Sequence, residues 1–168
     1  ARQRSTDLAD VSPVGSDWVV ALVAPQDPGN IGSILRTMNA VGAGALILID
    51  AAADPYHPTC IRASMGALFW HPVATATFDE FAAWAGRHGY RIVGTSARGA
   101  VDYRRADYAR PLVLLMGSER EGLSEAQKAI CHELARLPMQ GRVSSLNLSV
   151  ATGIILYAAL AQSDRAAL

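Results

Sequence analysis

Trp18-Val-Val-Ala-Leu-Val-Ala24, the loop Pro25-Gln-Asp-Pro-Gly-Asn30, a helical stretch to Val41, and then Ala45-Leu-Ile-Leu-Ile-Asp50 form the passage that decides the fold. Both apolar runs are continuous rather than alternating, which suits strands buried on both faces. Between them Ile31, Ile34, Leu35, Met38 and Val41 fall at helical spacing, and Gly42 and Gly44 stop the periodicity. Strand, helix, strand in so short a span is the unit from which parallel sheets are built.

The same alternation continues outward. Ile61, Met65, Leu68 and Phe69 predict a second helix, and Phe78, Phe81, Ala82 and Ala85 a third that Gly89 ends. Tyr90 to Thr95 and Leu112 to Met116 read as strands, with the charged stretch from Arg98 to Arg110 irregular between them. Ser124 with Gln127 makes a capping box for a short helix to Cys131. Leu134 to Leu137 reads as a brief strand, and an apolar helix closes the chain. The expected architecture is α/β: a mostly parallel sheet with helices on both faces, in one domain over residues 17–168. Residues 1–16 are polar and aperiodic and read as an arm or linker.

Composition narrows the function. Fifteen basic residues balance fifteen acidic ones, so no global field draws in a polyanion and any nucleic-acid contact must rest on a local patch. Arg2, Arg4, Arg62, Arg98, Arg104, Arg105 and Arg110 are the candidates for such a patch. Cys60 and Cys131 stand apart, without CxxC spacing or clustered histidines, and read as buried thiols in a reducing, cytoplasmic setting with no metal site. The N-terminus lacks the basic, apolar and small-residue succession of a signal peptide. Val143 to Ser163 carries no charge and is long enough to cross a bilayer. Its first residues include Ser144, Ser145, Asn147, Ser149 and Thr152, which favours a buried core helix instead.

Three polar constellations stand out against this apolar frame. Asn30-Ile-Gly-Ser-Ile-Leu-Arg36 opens the first helix, where Asn30 alone would pass for an N-cap and Arg36 for a solvated, snorkelling residue. Gly117-Ser-Glu-Arg-Glu-Gly122 follows a strand, with Gly117 permitting close backbone approach and Gly122 a positive φ. Ser144-Ser-Leu-Asn-Leu-Ser149 stands at the head of the last helix with more hydroxyl and amide groups than one cap needs. Loops at the carboxyl ends of strands are where open α/β sheets bind ligands. There is no GxGxxG fingerprint, and Gly94-Thr-Ser-Ala-Arg-Gly99 runs into Ala100 without the Lys-Ser/Thr of a phosphate loop. No histidine lies near the serines in sequence, so a hydrolase has no visible support.

In order and spacing, N-x-G-x-x-x-R, G-S-E-x-x-G and S-L-N-x-S resemble the SpoU (TrmH-like) branch of the SPOUT RNA methyltransferases. Asp54-Pro-Tyr-His-Pro58 and Arg62-Ala-Ser-Met-Gly-Ala-Leu-Phe69 also look like that family's middle segment, and the likeness runs from Trp18 to the end. The resemblance implies a C-terminal deep trefoil knot, an exception to the rule that chains avoid knots. It implies S-adenosylmethionine as cofactor, held by groups at Thr95, Ser96, Leu115, Gly117, Leu137, Met139, Ser145 and Leu146. It casts Asn30, Arg36, Glu119, Ser145 and Asn147 as the catalytic residues for methylation of a ribose 2′-hydroxyl in rRNA or tRNA. It further implies a homodimer, and a basic extension or RNA-binding domain ahead of the catalytic unit, of which residues 1–16 would be the remnant. The alternatives are a non-catalytic cofactor- or RNA-binding relative and a methyltransferase acting on another acceptor.

Overall fold

The computed structural model describes residues 7–50 and 52–166. In chain order the elements are β1 (Trp18–Val23), α1 (Pro28–Val41), β2 (Ala45–Ile49), α2 (Pro58–Ala63), β3 (Val73–Ala76) and α3 (Phe78–Arg87). They continue with β4 (Arg91–Thr95), β5 (Val101–Asp102), β6 (Leu112–Met116), α4 (Glu125–Ala129), β7 (Glu133–Arg136) and α5 (Leu148–Ala166). Short 3₁₀ turns lie at Leu8–Asp10 and Ala67–Phe69.

Among the described residues the strands form one seven-stranded sheet in the order β3-β2-β1-β6-β4-β7-β5, and every pairing is parallel. The continuous apolar runs explain this arrangement. Every residue of β1, β2 and β6 is buried, so each strand needs cover on both faces. Trp18, Val20 and Leu22 turn to one side, into a core shared with α1 and α5. Val19, Ala21 and Val23 turn to the other, where Phe81, Trp84 and Ala85 of α3 cover them.

The structure departs from the sequence expectation in five places. First, α1 starts at Pro28, and its cap is Asp27, whose Oδ1 accepts the Gly29 N–H at 2.7 Å. Asn30 is therefore inside the first turn, not its cap, because proline is favoured at the first helical position and fixes the start three residues earlier. Second, the helix expected through Ile61 to Phe69 breaks after Ala63. Met65 takes a left-handed φ of +50°, and the chain re-enters a 3₁₀ turn at Ala67. Third, β3 and β5 had no signal of their own: β3 has a short buried stretch and β5 is two residues long. Fourth, α5 begins at Leu148, so Ser144 and Ser145 lie ahead of the helix rather than in its first turn.

The fifth difference concerns the N-terminal stretch, of which residues 1–6, with Arg2 and Arg4, lie outside the described residues. From Leu8 to Ser16 the chain lies against the α3 face. Val11 is buried, its carbonyl accepts the Trp84 indole N–H at 3.1 Å, and the Ser16 carbonyl accepts the Tyr90 hydroxyl at 2.6 Å. Burial, with Asp17 nearby, pushes the Tyr90 hydroxyl up to about 12. Among the described residues no helix is long and apolar enough to cross a membrane.

One glycine couples the first constellation to the packing. A Cβ at Gly32 would lie 2.4 Å from the Cys60 carbonyl oxygen and 2.8 Å from the Ala63 Cβ, so α1 and α2 meet at a contact that admits no side chain. We expect Gly32→Ala to force these helices apart, costing about 2 kcal/mol and lowering Tm by roughly 4–8 °C in a thermal melt.

Candidate functional site

At the carboxyl ends of β4, β6 and β7 the sheet opens into a cleft of about 490 Å³. Parallel strands all point the same way, so their following loops gather along one edge, and here three of them form walls. The first wall is Thr95 to Arg98 after β4. It is tied down by the Ser96 N–H donating to the Ala135 carbonyl at 3.0 Å and by the Thr95 hydroxyl donating to the Leu115 carbonyl at 3.5 Å.

The second wall is the turn after β6. Ser118 and Gly122 exchange backbone hydrogen bonds of 3.2 and 3.0 Å, folding the turn back on itself. The fold leaves no room at Gly117, where a Cβ would lie 2.3 Å from the Gly122 carbonyl carbon and 2.5 Å from the Leu123 nitrogen. Gly122 closes the turn at a φ of +70°, as the sequence led us to expect. Glu119 and Glu121 are thereby carried to the rim of the cleft.

The third wall comes from the segment between β7 and α5: Leu137, Met139, Ser144, Ser145 and Leu146. Leu148, Ala151 and Ile155 of α5 supply an apolar floor. The lining is thus amphiphilic: aliphatic and thioether groups on one side, hydroxyls, carboxylates and backbone groups on the other. A cleft of this size and mixture is built for a small organic ligand with both an apolar and a charged part.

Side-chain hydrogen bonds join the three constellations directly. The Asn147 amide Nδ2 donates to Asn30 Oδ1 at 2.9 Å, and the Asn30 Nδ2 donates to Glu119 Oε1 at 3.4 Å. Asn147 does this while capping α5: its Oδ1 accepts the Ser149 and Val150 N–H groups at 2.9 and 3.3 Å and the Ser149 hydroxyl at 2.7 Å. Asn30 is buried, so its amide needs partners inside the fold, and both come from distant segments. The junction therefore fixes the position of the 118–122 turn relative to the start of α5.

Of the residues expected to contact a cofactor, Thr95, Ser96, Gly117, Leu137, Met139, Ser145 and Leu146 line the cleft. Leu115 does not; its side chain is fully buried toward α3, and its backbone carbonyl is the part that reaches the Thr95 hydroxyl. Among the expected catalytic residues, Glu119 and Ser145 line the cleft, and Asn30 and Asn147 reach it through Glu119. Arg36 lies elsewhere, exposed on α1 and outside the lining of this cleft. Sequence reasoning missed Lys128 and the α5 floor. Met116, inside the expected span from Leu115 to Gly117, also lines the cleft as the last residue of a strand that runs into a ligand loop.

The two thiols take no part in the junction. Burial is the main cause that pushes both Cys60 and Cys131 up to about 11, so both stay protonated near neutral pH. Among the described residues no group of His, Cys, Asp and Glu side chains is placed to hold a metal ion.

The two duties of Asn147 can be separated by substitution. Asn147→Ser keeps a capping oxygen but loses the bond to Asn30, whereas Asn147→Ala loses both. In thermal or denaturant melts we expect the alanine variant to fall below the serine one by about 1 kcal/mol. We expect the serine variant itself to fall measurably below the parent, reflecting the Asn30 amide left without its donor.

The model of the SpoU rRNA Methylase family matches residues 17–157. The chain is 39% identical over 163 residues to a 23S rRNA (uridine(2479)-2'-O)-methyltransferase of Streptomyces viridochromogenes, covering 93% of this chain and 57% of that protein. It is 35% identical over 149 residues to the 23S rRNA (guanosine-2'-O-)-methyltransferase RlmB of Pseudomonas syringae pv. tomato, covering 88% and 60%. Among solved structures, an AdoMet-bound rRNA methyltransferase from Sinorhizobium meliloti superposes with a TM-score of 0.90 at 42% identity, covering 95% of this chain and 62% of that one. The chain thus spans little more than half the length of the curated relatives it matches. With the family model matched across most of its length, and Asn30, Glu119 and Asn147 of the three motifs hydrogen-bonded together beside the cleft, this protein is a member of the SpoU rRNA methylase family.

Proposed function

We propose that this chain transfers a methyl group from S-adenosylmethionine to a ribose 2′-hydroxyl of ribosomal or transfer RNA, and that it does so as a cytoplasmic homodimer. The observation that carries the reading is the Asn147–Asn30–Glu119 junction, which joins all three motifs at the rim of an amphiphilic cleft. The named relatives, two of them rRNA 2′-O-methyltransferases and one an AdoMet-bound rRNA methyltransferase, support the same chemistry. The lining fits such a cofactor. Leu137, Met139, Leu146 and Ile155 offer apolar cover, while Thr95, Ser96, Glu119 and Ser145 offer hydrogen-bonding groups. The same reading takes the segment from Leu137 onward as threaded through the chain ahead of it in a trefoil knot.

When bound, the cofactor supplies an electrophilic methyl group on a sulfonium. The protein's own part is to bring a weakly acidic alcohol into line with it and to exclude competing water. The backbone around Thr95, Leu115 to Gly117, Leu137 to Met139 and Ser145 to Leu146 holds the cofactor. Backbone recognition is consistent with the closely packed turn at Gly117, whose shape a side chain would destroy. Ser145, exposed on the third wall, presents a hydroxyl to the ribose, and Glu119 and Asn147 hold the two walls in register.

Arg36 is assigned to the RNA. A guanidinium offers hydrogen-bond donors and no acceptor, so Arg36 grips a phosphate beside the target nucleotide and polarises the nucleophile rather than removing a proton. Its exposure outside its own subunit's cleft supports a site shared between two subunits. The dimer reading draws further support from α5, where Val150 and Tyr157 lie two turns apart and are both well exposed. Apolar side chains at helical spacing on one outer face are what a subunit interface looks like before its partner is added.

Isothermal calorimetry with S-adenosylhomocysteine should show saturable binding, and a flat titration at high protein concentration would overturn the cofactor assignment. Arg36→Ala should abolish methyl transfer to total RNA while leaving cofactor affinity within a few-fold. Arg36→Lys should not restore full activity, because a point charge cannot replace a bidentate fork. Light scattering should report a dimer at micromolar concentration, and Tyr157→Glu should shift it to a monomer.

A further inference from the structure

A second recess, of about 450 Å³, lies at the free edge of the sheet and is lined by Ala100, Val101, Asp102, Arg104, Arg105 and Arg136. We propose that it is a groove for the phosphate backbone of the RNA, holding the strand that runs on from the nucleotide in the first cleft. The inference rests on the function proposed above and adds a surface to it.

The geometry is set by β5 and β7. Asp102 and Arg136 are register partners at the carboxyl ends of these strands, the same end on which the first cleft opens. After β5 the chain turns back, with the Tyr103 N–H donating to the Arg136 carbonyl at 3.0 Å and the Arg105 N–H to the Asp102 carbonyl at 2.8 Å. Arg104, Arg105 and Arg136 are thus gathered around one strand end. The two recesses share β7 as a wall: Ala135 and Leu137 line the first, and Arg136, between them, lines the second. Side chains alternate along a strand, so Arg136 faces away from Ala135 and Leu137, and the two recesses flank the same strand end.

Charge decides what the groove takes. Asp102 is committed to Arg104 through a bidentate pair of 2.8 and 2.7 Å, so one arginine is neutralised and pinned. Arg105 and Arg136 are exposed and form no ion pair among the described residues, although Arg105 lies within electrostatic reach of Asp102. The nearby carboxylates Glu133 and Asp107 are held by Arg91, and Glu133 stands at the opposite end of β7. The recess thus gathers three guanidiniums around one carboxylate, a local excess of positive charge in a chain of zero net charge. Guanidinium groups pair with phosphates through two parallel hydrogen bonds, which suits a phosphodiester chain. Of the other arginines marked as candidates in the sequence, Arg110 is unavailable, lying 4.6 Å over the Trp18 ring and 3.5 Å from an Asp17 oxygen.

Fluorescence anisotropy with a labelled single-stranded RNA, titrated at several salt concentrations, tests the assignment. R105Q/R136Q should flatten the plot of log affinity against log salt by roughly 1.4, so that the parent loses about sevenfold more affinity than the variant between low and physiological salt. D102N frees the charge of Arg104 and should move the other way, steepening the slope by roughly 0.7, a gain no misfolded variant could give. R87Q, on the far end of α3, should match the parent, and equal melting temperatures confirm that each variant is folded. If the parent binds RNA but R105Q/R136Q has the parent's slope, or D102N does not exceed it, the groove assignment fails while the function stands. If the parent binds no RNA at any salt, both fail.

Discussion

A parallel sheet buried on both faces cannot be left half covered, and that requirement organises this molecule. Every side chain of β1, β2 and β6 is withdrawn from water, so helices must close over each side. On one side the cover is shared by α1 and α5, elements from opposite ends of the chain. Once those two helices are pressed onto the same strands, their amino-terminal ends lie close together, and Asn30 meets Asn147. The polar junction is therefore a by-product of apolar packing, which positions the two amides before any hydrogen bond forms between them. Even the one buried side-chain nitrogen or oxygen without a hydrogen-bond partner among the described residues, the indole nitrogen of Trp18, belongs to this core.

The site itself is made of what the sheet does not specify: three loops at strand ends, each constrained by a different means. The 118–122 turn is held by its own backbone pairing, and its tightness depends on the missing side chain at Gly117. The loop after β4 is held by backbone bonding to β7. The segment from Pro138 to Leu146 makes no hydrogen bond to the rest of the described chain and is fixed at its ends by β7 and by the cap at Asn147. Two rigid walls and one loosely held wall are a sensible division for a cleft that must admit a ligand and then enclose it.

How much of this could be read from the residues depends on whether the signal was local. The apolar runs of β1 and β6, the capping box at Ser124 and Gln127, and the turn from Gly117 to Gly122 all carry their physics within a few neighbours, and each is where the sequence places it. Asn30 shows the opposite case. A local reading makes it a cap, because nothing nearby reveals that Asp27 takes that duty or that its real partner lies more than a hundred residues on. The floor of the cleft was hidden for a related reason. A helix apolar around most of its circumference does not say which residues face a ligand, so Ile155 could not be told from its neighbours. The strands β3 and β5 were invisible because they borrow their order from β2 and β7 rather than from any pattern of their own.

The order of strands also bears on how the chain can fold as it emerges from the ribosome. The first three strands lie side by side in sequence order outward from β1, so that half can assemble as soon as it is made. The other half cannot grow by simple addition. Strand β4 is synthesised before β6, yet β6 is its only route of attachment to β1. Until Met116 has been made, β1 keeps one apolar edge unpaired and β4 has no partner in the sheet. A nascent chain of this design carries an open slot at its centre for part of its synthesis, an unpaired apolar strand edge that invites wrong pairings until β6 arrives.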